Sequence, residues 1–102
     1  MNLNKIEKAL ALIKSRRSWT SFAWSKDSNG NKIYPKNKNA CRFSLDGALI
    51  KVNIPISDWY FLEKCLKEYT NGKYRYVVQW NDHMGHRKVV EFLEWFLYEK
   101  VN

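Results

Sequence analysis

Leu3, Ile6, Leu10 and Ile13, with Ala9 beside them, recur at the spacing of one helical face, and Asn2 or Asn4 can cap the start. The pattern predicts a first helix ending near Ser15. Residues 19–24 read differently: Thr20, Phe22 and Trp24 fall on one side of an extended segment with smaller residues on the other, which predicts a strand. The run from Lys26 to Asn31 is turn chemistry, and Asn29-Gly30 can supply positive φ, so Lys32, Ile33 and Tyr34 should pair back as a short hairpin strand that Pro35 ends.

Beyond Asn39, the residues Ala40, Phe43, Ala48, Leu49 and Val52 predict a second helix with Gly47 inside it. A glycine there costs about 1 kcal/mol against alanine, which points to a close backbone approach. After Pro55, Ser57 is the expected cap of a third helix with Asp58 in its first turn. Leu62, Cys65, Leu66 and Tyr69 form its buried stripe, and Asn71-Gly72 ends it. Residues 74–80 give the clearest alternation, Tyr74, Tyr76, Val78 and Trp80 against Arg75, Val77 and Gln79, and predict a strand. The last helix, about 85–100, is apolar at Val89, Val90, Phe92, Leu93, Trp95, Phe96 and Leu97. Only Arg87, Glu91, Glu94 and Tyr98 make a polar stripe, so this helix is either central or a homodimer surface exposing Phe92, Trp95 and Tyr98. The expected fold is α+β: a small antiparallel sheet, made of the hairpin plus the 74–80 strand, packed against about four helices in a single domain over 1–102.

Composition supports a folded domain. The chain has 102 residues, of which 45% are hydrophobic and 16% aromatic, enough for one core. No apolar run approaches the roughly 18 to 20 residues of a membrane span, and the first residues alternate with polar ones instead of forming a signal peptide's apolar stretch. A cytoplasmic protein without membrane association is expected. In that setting Cys41 and Cys65, both within apolar helical patterns, are expected to be free buried thiols.

Charge changes the picture more than composition does. Residues 14–51 carry nine bases (Lys14, Arg16, Arg17, Lys26, Lys32, Lys36, Lys38, Arg42 and Lys51) against Asp27 and Asp46, which is +7 of the formal +8. Residues 52–102 carry seven bases and seven acids. Such asymmetry points to an anionic partner, or else to a solvated face that keeps the chain soluble. Aromatic interleaving favours binding. Trp19, Phe22, Trp24 and Tyr34 lie among Arg16, Arg17, Lys26, Lys32 and Lys36, where rings stack bases and cations neutralise phosphates; Trp24 and Tyr34 are expected to be partly exposed, with Arg16, Arg17, Lys32, Lys36, Lys38 and Arg42 supplying the charge. Trp19 is expected to be buried.

Other chemistry is weaker. Asp82, His83 and His86 could ligate a metal or pass protons, but they do not make a His-Glu-x-x-His helix, and Asn81 or Asp82 is equally explained as a helix cap. The chain has no Gly-rich phosphate loop, no Gly-x-Ser-x-Gly and no Cys-x-x-Cys. These features point away from an enzyme and call for no cofactor.

Several elements together resemble a family of small bacterial and phage proteins, a domain of unknown function. They are the Trp19-Thr-Ser-Phe-Ala23 segment, Asn29-Gly30 before a Pro35 loop, Ala40-Cys-Arg-Phe-Ser-Leu-Asp-Gly47-Ala-Leu49, and Trp80-Asn-Asp82 ahead of His86 and Val89-Val90. The likeness spans about residues 3–99 and departs from the family pattern at Gly85. It implies no activity. It does make plausible a second class of function beside nucleic-acid or nucleotide binding: a module that binds an acidic host protein, such as a phage inhibitor of a host or defence factor.

Overall fold

The computed structural model describes residues 1–101. Five α-helices surround one core, and a two-stranded antiparallel sheet closes one side, so the fold is α+β and mostly helical. Helix α1 (Leu3–Ile13) begins as predicted, with the Asn2 side chain accepting from Lys5 N at 3.2 Å, and it buries Ile6, Ala9, Leu10 and Ile13. A 3-10 turn follows at Arg16–Ser18, capped by the Ser15 hydroxyl. Strand β1 (Ser25–Lys26) pairs with β2 (Arg42–Phe43). Helix α2 is Leu45–Lys51, α3 is Ile56–Tyr69, α4 is Val77–Met84 and α5 is His86–Trp95, continued by one π-helical turn at Phe96–Lys100. No helix among the described residues is long and apolar enough to cross a membrane.

Five expectations are corrected. Residues 19–24 are not a strand: Phe22 takes a left-handed φ of +59°, which breaks an extended run, and the chain reaches its two-residue strand only at Ser25. Residues 74–80 do not join the sheet, because Val77, Trp80 and Asn81 are buried at helical spacing (i, i+3, i+4), while Tyr76 and Val78 of the apparent alternation face outward. Glu63 on α3 stabilises the start of α4 by accepting from Val77 N at 3.0 Å. The second helix begins at Leu45, not near Asn39, because Ser44 is its cap and Arg42–Phe43 is needed as the partner of β1. Cys41 is thereby left exposed instead of buried, whereas Cys65 is a buried free thiol. Helix α3 starts after Pro55 without a side-chain cap, so Ser57 does not serve as one. Asp58 instead accepts from Asn2 N at 2.9 Å and ties α3 to the start of α1.

The end of α3 follows the sequence. Asn71 has φ +52°, and Gly72 N and Asn71 N donate to Lys67 O and Glu68 O, the pairing of a Schellman stop. The hairpin survives in reduced form. Lys26 and Lys32 make an isolated antiparallel bridge, Ile33 N donates to Ser25 O, and Asp27 Oδ1 accepts from Asn29 N and Asn31 N, both at 2.9 Å.

Gly47 marks the close approach its sequence context predicts. A Cβ there would overlap the Trp24 carbonyl oxygen and lie 2.6 Å from its carbon. That carbonyl is where the strand segment docks on α2, since it accepts from Ser44 N at 3.1 Å and from Ser44 Oγ at 3.2 Å.

Candidate anion-binding face and aromatic groove

One buried side chain sets the geometry of the site. Asn81, wholly buried on α4, uses both ends of its amide. Its Oδ1 accepts from Trp19 Nε1 at 2.7 Å and from Leu45 N at 2.9 Å, and its Nδ2 donates to Thr20 O at 3.1 Å and to Asp82 Oδ1 at 3.0 Å. Asp82 Oδ1 also accepts from Phe22 N at 2.8 Å. The Asn81-Asp82 pair therefore adds to the few backbone bonds of residues 19–24 (Thr20 N to Phe43 O, and Ser44 N to Trp24 O), holds Phe22 in its left-handed conformation, and orients the segment leading into β1. It is not a helix cap, because both residues lie within α4.

The register of the sheet then aligns cations. Lys26 lies opposite Arg42 on one side and opposite Lys32 on the other. Residues opposite each other in an antiparallel pair share a face, with Cβ atoms roughly 4.5 to 5.5 Å apart. Three positive side chains thus form a row across the outer face. Like charges placed this way repel. Among the described residues the ion pairs are Lys14–Glu94, Lys88–Glu91 and Lys100–Glu68, and none includes a member of the row.

Trp24 and Tyr34 stand beside this row with ring centroids 6.2 Å apart, edge to face, and are 53% and 55% exposed, as the sequence leads one to expect. They wall an open groove of about 660 Å³ with Phe22, Lys32, Asp46 and Val78 also lining it. A smaller hollow of about 280 Å³ shares Trp24, Asp46 and Val78 with the groove. Asp46 is only 3% exposed, and its Oδ1 has no hydrogen-bond partner among the described residues. Burial holds its carboxyl above the ordinary carboxylate range, and Asp82 and Glu63 push the same way against the Ser44 hydroxyl and the helix-start amide.

The structure brings together part of the predicted site. Trp24, Lys32 and Tyr34 meet in the groove, and Arg42 joins them through Lys26. Arg16 and Arg17 lie on the 3-10 turn, exposed, outside the groove. Lys36 bonds Asn53 Oδ1 instead, and Lys38 stands exposed in the turn before Ala40. Trp19 is half-buried, packed on the core and locked by Asn81.

The histidines have other partners. His86 Nε2 lies 2.7 Å from Ile13 O, which makes it the protonated nitrogen, and its ring leans on Trp19 at 5.7 Å. His83 is exposed beside Tyr74. Among the described residues, no three His, Cys, Asp or Glu side chains converge to hold a metal. Phe92, expected at a homodimer surface, is instead fully buried. Trp95 is half-buried and Tyr98 exposed, and they share a hollow with Tyr69, Glu91, Glu94 and Glu99.

Comparison with protein-family models, curated proteins and solved structures returns no match. The likeness to the small bacterial and phage family therefore rests on its motifs alone.

Sequence reasoning places Lys26 and Phe22 in the basic, aromatic-interleaved segment without assigning them to the site, and it misses Asp46 and Val78. A two-residue turn at Asn29-Gly30 would set Asp27 opposite Lys32, whereas the turn spans residues 28–30 and sets Lys26 there.

Proposed function

We propose that this protein is a non-enzymatic binding domain for an anionic ligand, a nucleic acid or a nucleotide, working in the cytoplasm. The observation that carries this reading is the row Lys32, Lys26 and Arg42, in no ion pair among the described residues and flanked by the exposed rings of Trp24 and Tyr34. Cations at this spacing follow a phosphate backbone, and exposed rings give successive bases a stacking surface. An unpaired strand suits the arrangement best, since a duplex hides its base faces.

The test is the salt dependence of binding to a single-stranded oligonucleotide. Three phosphate contacts give a slope of about −2 in log K against log salt. Reversing Lys26 and Arg42 to glutamate should flatten that slope and weaken binding more than reversing Arg17 and Lys36. A slope near zero in the unaltered protein would contradict the proposal.

One further observation favours a second reading, a module that binds an acidic host protein. Lys5, Lys8 and Lys51 rim a trough of about 540 Å³ floored by Ala11, Leu12 and Val52, a shape that suits an acidic amphipathic segment. A protein partner retained after nuclease treatment, and released by reversing Lys8 and Lys51, would support it over nucleic-acid binding.

A further inference from the structure

The cation row accounts for the phosphates of such a ligand, but not for the floor of the groove beside it. That floor is acidic. Asp46 is buried with a free carboxylate oxygen, and Asp82, also lining the groove, is fixed by two N–H donors. A buried carboxylate oxygen without a partner costs free energy, and in a groove it is satisfied by a donor that the ligand brings. The walls supply the rest of the chemistry. Trp24, Tyr34 and Phe22 present flat apolar faces, and Lys32 belongs to both groove and cation row, so a phosphate held on the row leaves its own base within reach of the groove.

We infer that the groove takes one unpaired base carrying an amino group, with Asp46 Oδ1 accepting from that amino group while the base lies against Trp24 and Tyr34. This inference rests on the nucleic-acid reading above and names its base preference. Cytosine, adenine and guanine each offer an exocyclic amino group. Thymine and uracil do not: their one ring N–H is flanked by two carbonyl oxygens, which a carboxylate repels. Discrimination is therefore set by the donor pattern and not by size, because the open groove admits any base. A carboxylate accepting from the cytosine amino group is an established pairing in base recognition.

The experiment compares oligonucleotides of about 12 residues, a length within the usual single-strand site range, by quenching of tryptophan fluorescence at fixed low salt. The probes are oligocytidylate, oligothymidylate, and oligocytidylate whose bases are N4,N4-dimethylated. Cytosine should bind about tenfold more tightly than thymine, the worth of one hydrogen bond to a charged group. Dimethylation, which removes the donor while keeping the ring, should erase that advantage without any change to the protein. Asp46→Leu should bring cytosine and thymine to within about twofold of each other and leave the salt slope intact. Equal binding of cytosine and thymine, undiminished binding of the dimethylated strand, or a preference that survives Asp46→Leu would each overturn the inference while leaving salt-dependent binding standing. Salt-independent binding, or none, of all three strands would overturn the nucleic-acid reading and this inference with it.

Discussion

Replacing Asn81 with alanine removes an amide that serves four partners from three parts of the chain. Trp19 Nε1, Leu45 N and Thr20 O each lose a partner inside the fold, whereas Asp82 Oδ1 keeps Phe22 N. A buried group left unsatisfied costs about 1 to 3 kcal/mol, so three such groups predict a loss of about 3 to 9 kcal/mol, with water entering the vacated space setting the lower end. A domain of this length holds on the order of 5 to 15 kcal/mol in total. Each kcal/mol moves the midpoint by about 4 to 8 °C in a domain near this size, so thermal unfolding followed by near-ultraviolet circular dichroism should drop by at least about 12 °C. Trp19→Phe removes only one of these donors and leaves Asn81 bonded to Leu45, so it should cost far less. In the double variant the two losses should fall short of additive. A drop below about 4 °C for Asn81→Ala would refute the idea that Asn81 fixes residues 19–24 against α2 and α4.

Three other variants or reagents test separate parts of the account. Gly47→Ala drives a methyl group into the Trp24 carbonyl, a backbone atom that cannot rotate away, so urea unfolding should show a loss of about 3 kcal/mol or more and weaker pairing of β1 with β2. Asp46 is an acid whose folded pKa is raised mainly by burial, so its contribution to stability is full below the unfolded carboxylate range near pH 4 and is lost as pH rises through the raised folded value. Asp46→Asn should accordingly gain stability over the native protein at pH 7, with the gap closing as pH falls toward 4 in denaturation curves; a gap independent of pH would contradict the assignment. Cys41 is exposed and Cys65 buried, with burial pushing the Cys65 thiol up, so Ellman's reagent should find one fast thiol in the native protein and both after denaturation.

Helices whose apolar stripe faces a single core were legible in the sequence. The stripes at Ile6, Ala9, Leu10 and Ile13, and at Leu62, Cys65 and Leu66, are buried as read, whereas Tyr69, expected to complete the second, is exposed; the Asn71-Gly72 stop has its expected geometry. The errors fall where local pattern and tertiary partners disagree. Residues 74–80 alternate Tyr74, Tyr76, Val78 and Trp80 with Arg75, Val77 and Gln79, yet Val77, Trp80 and Asn81 also fit a helical face, and the Glu63 carboxylate on another helix supplies what the helix start needs. Residues 19–24 have strand composition, but Thr20 O and Phe22 N bond to side chains about sixty positions away, and Thr20 N and Trp24 O to the backbone of Phe43 and Ser44. No local window contains that information. The candidate site divides in the same way. Exposure of Trp24 and Tyr34 and the hairpin partner Lys32 follow from the Asn29-Gly30 turn. Arg42 reaches the cation row only because it lies in a strand opposite Lys26, where the apolar spacing suggested a helix. Asp46 falls inside the helix the sequence pattern starts at Asn39, and only the packing of Trp24 over α2 reveals its unpaired oxygen.

The central claim is that Lys26, Lys32 and Arg42 act together on one anionic strand beside Trp24 and Tyr34. The most direct measurement is fluorescence-detected binding of a single-stranded oligonucleotide across a salt series, for the native protein and for Lys26→Glu/Arg42→Glu. A slope of about −2 that falls by more than half in the double variant is the predicted result. A slope unchanged by the two reversals, or no quenching of tryptophan on binding, would contradict it.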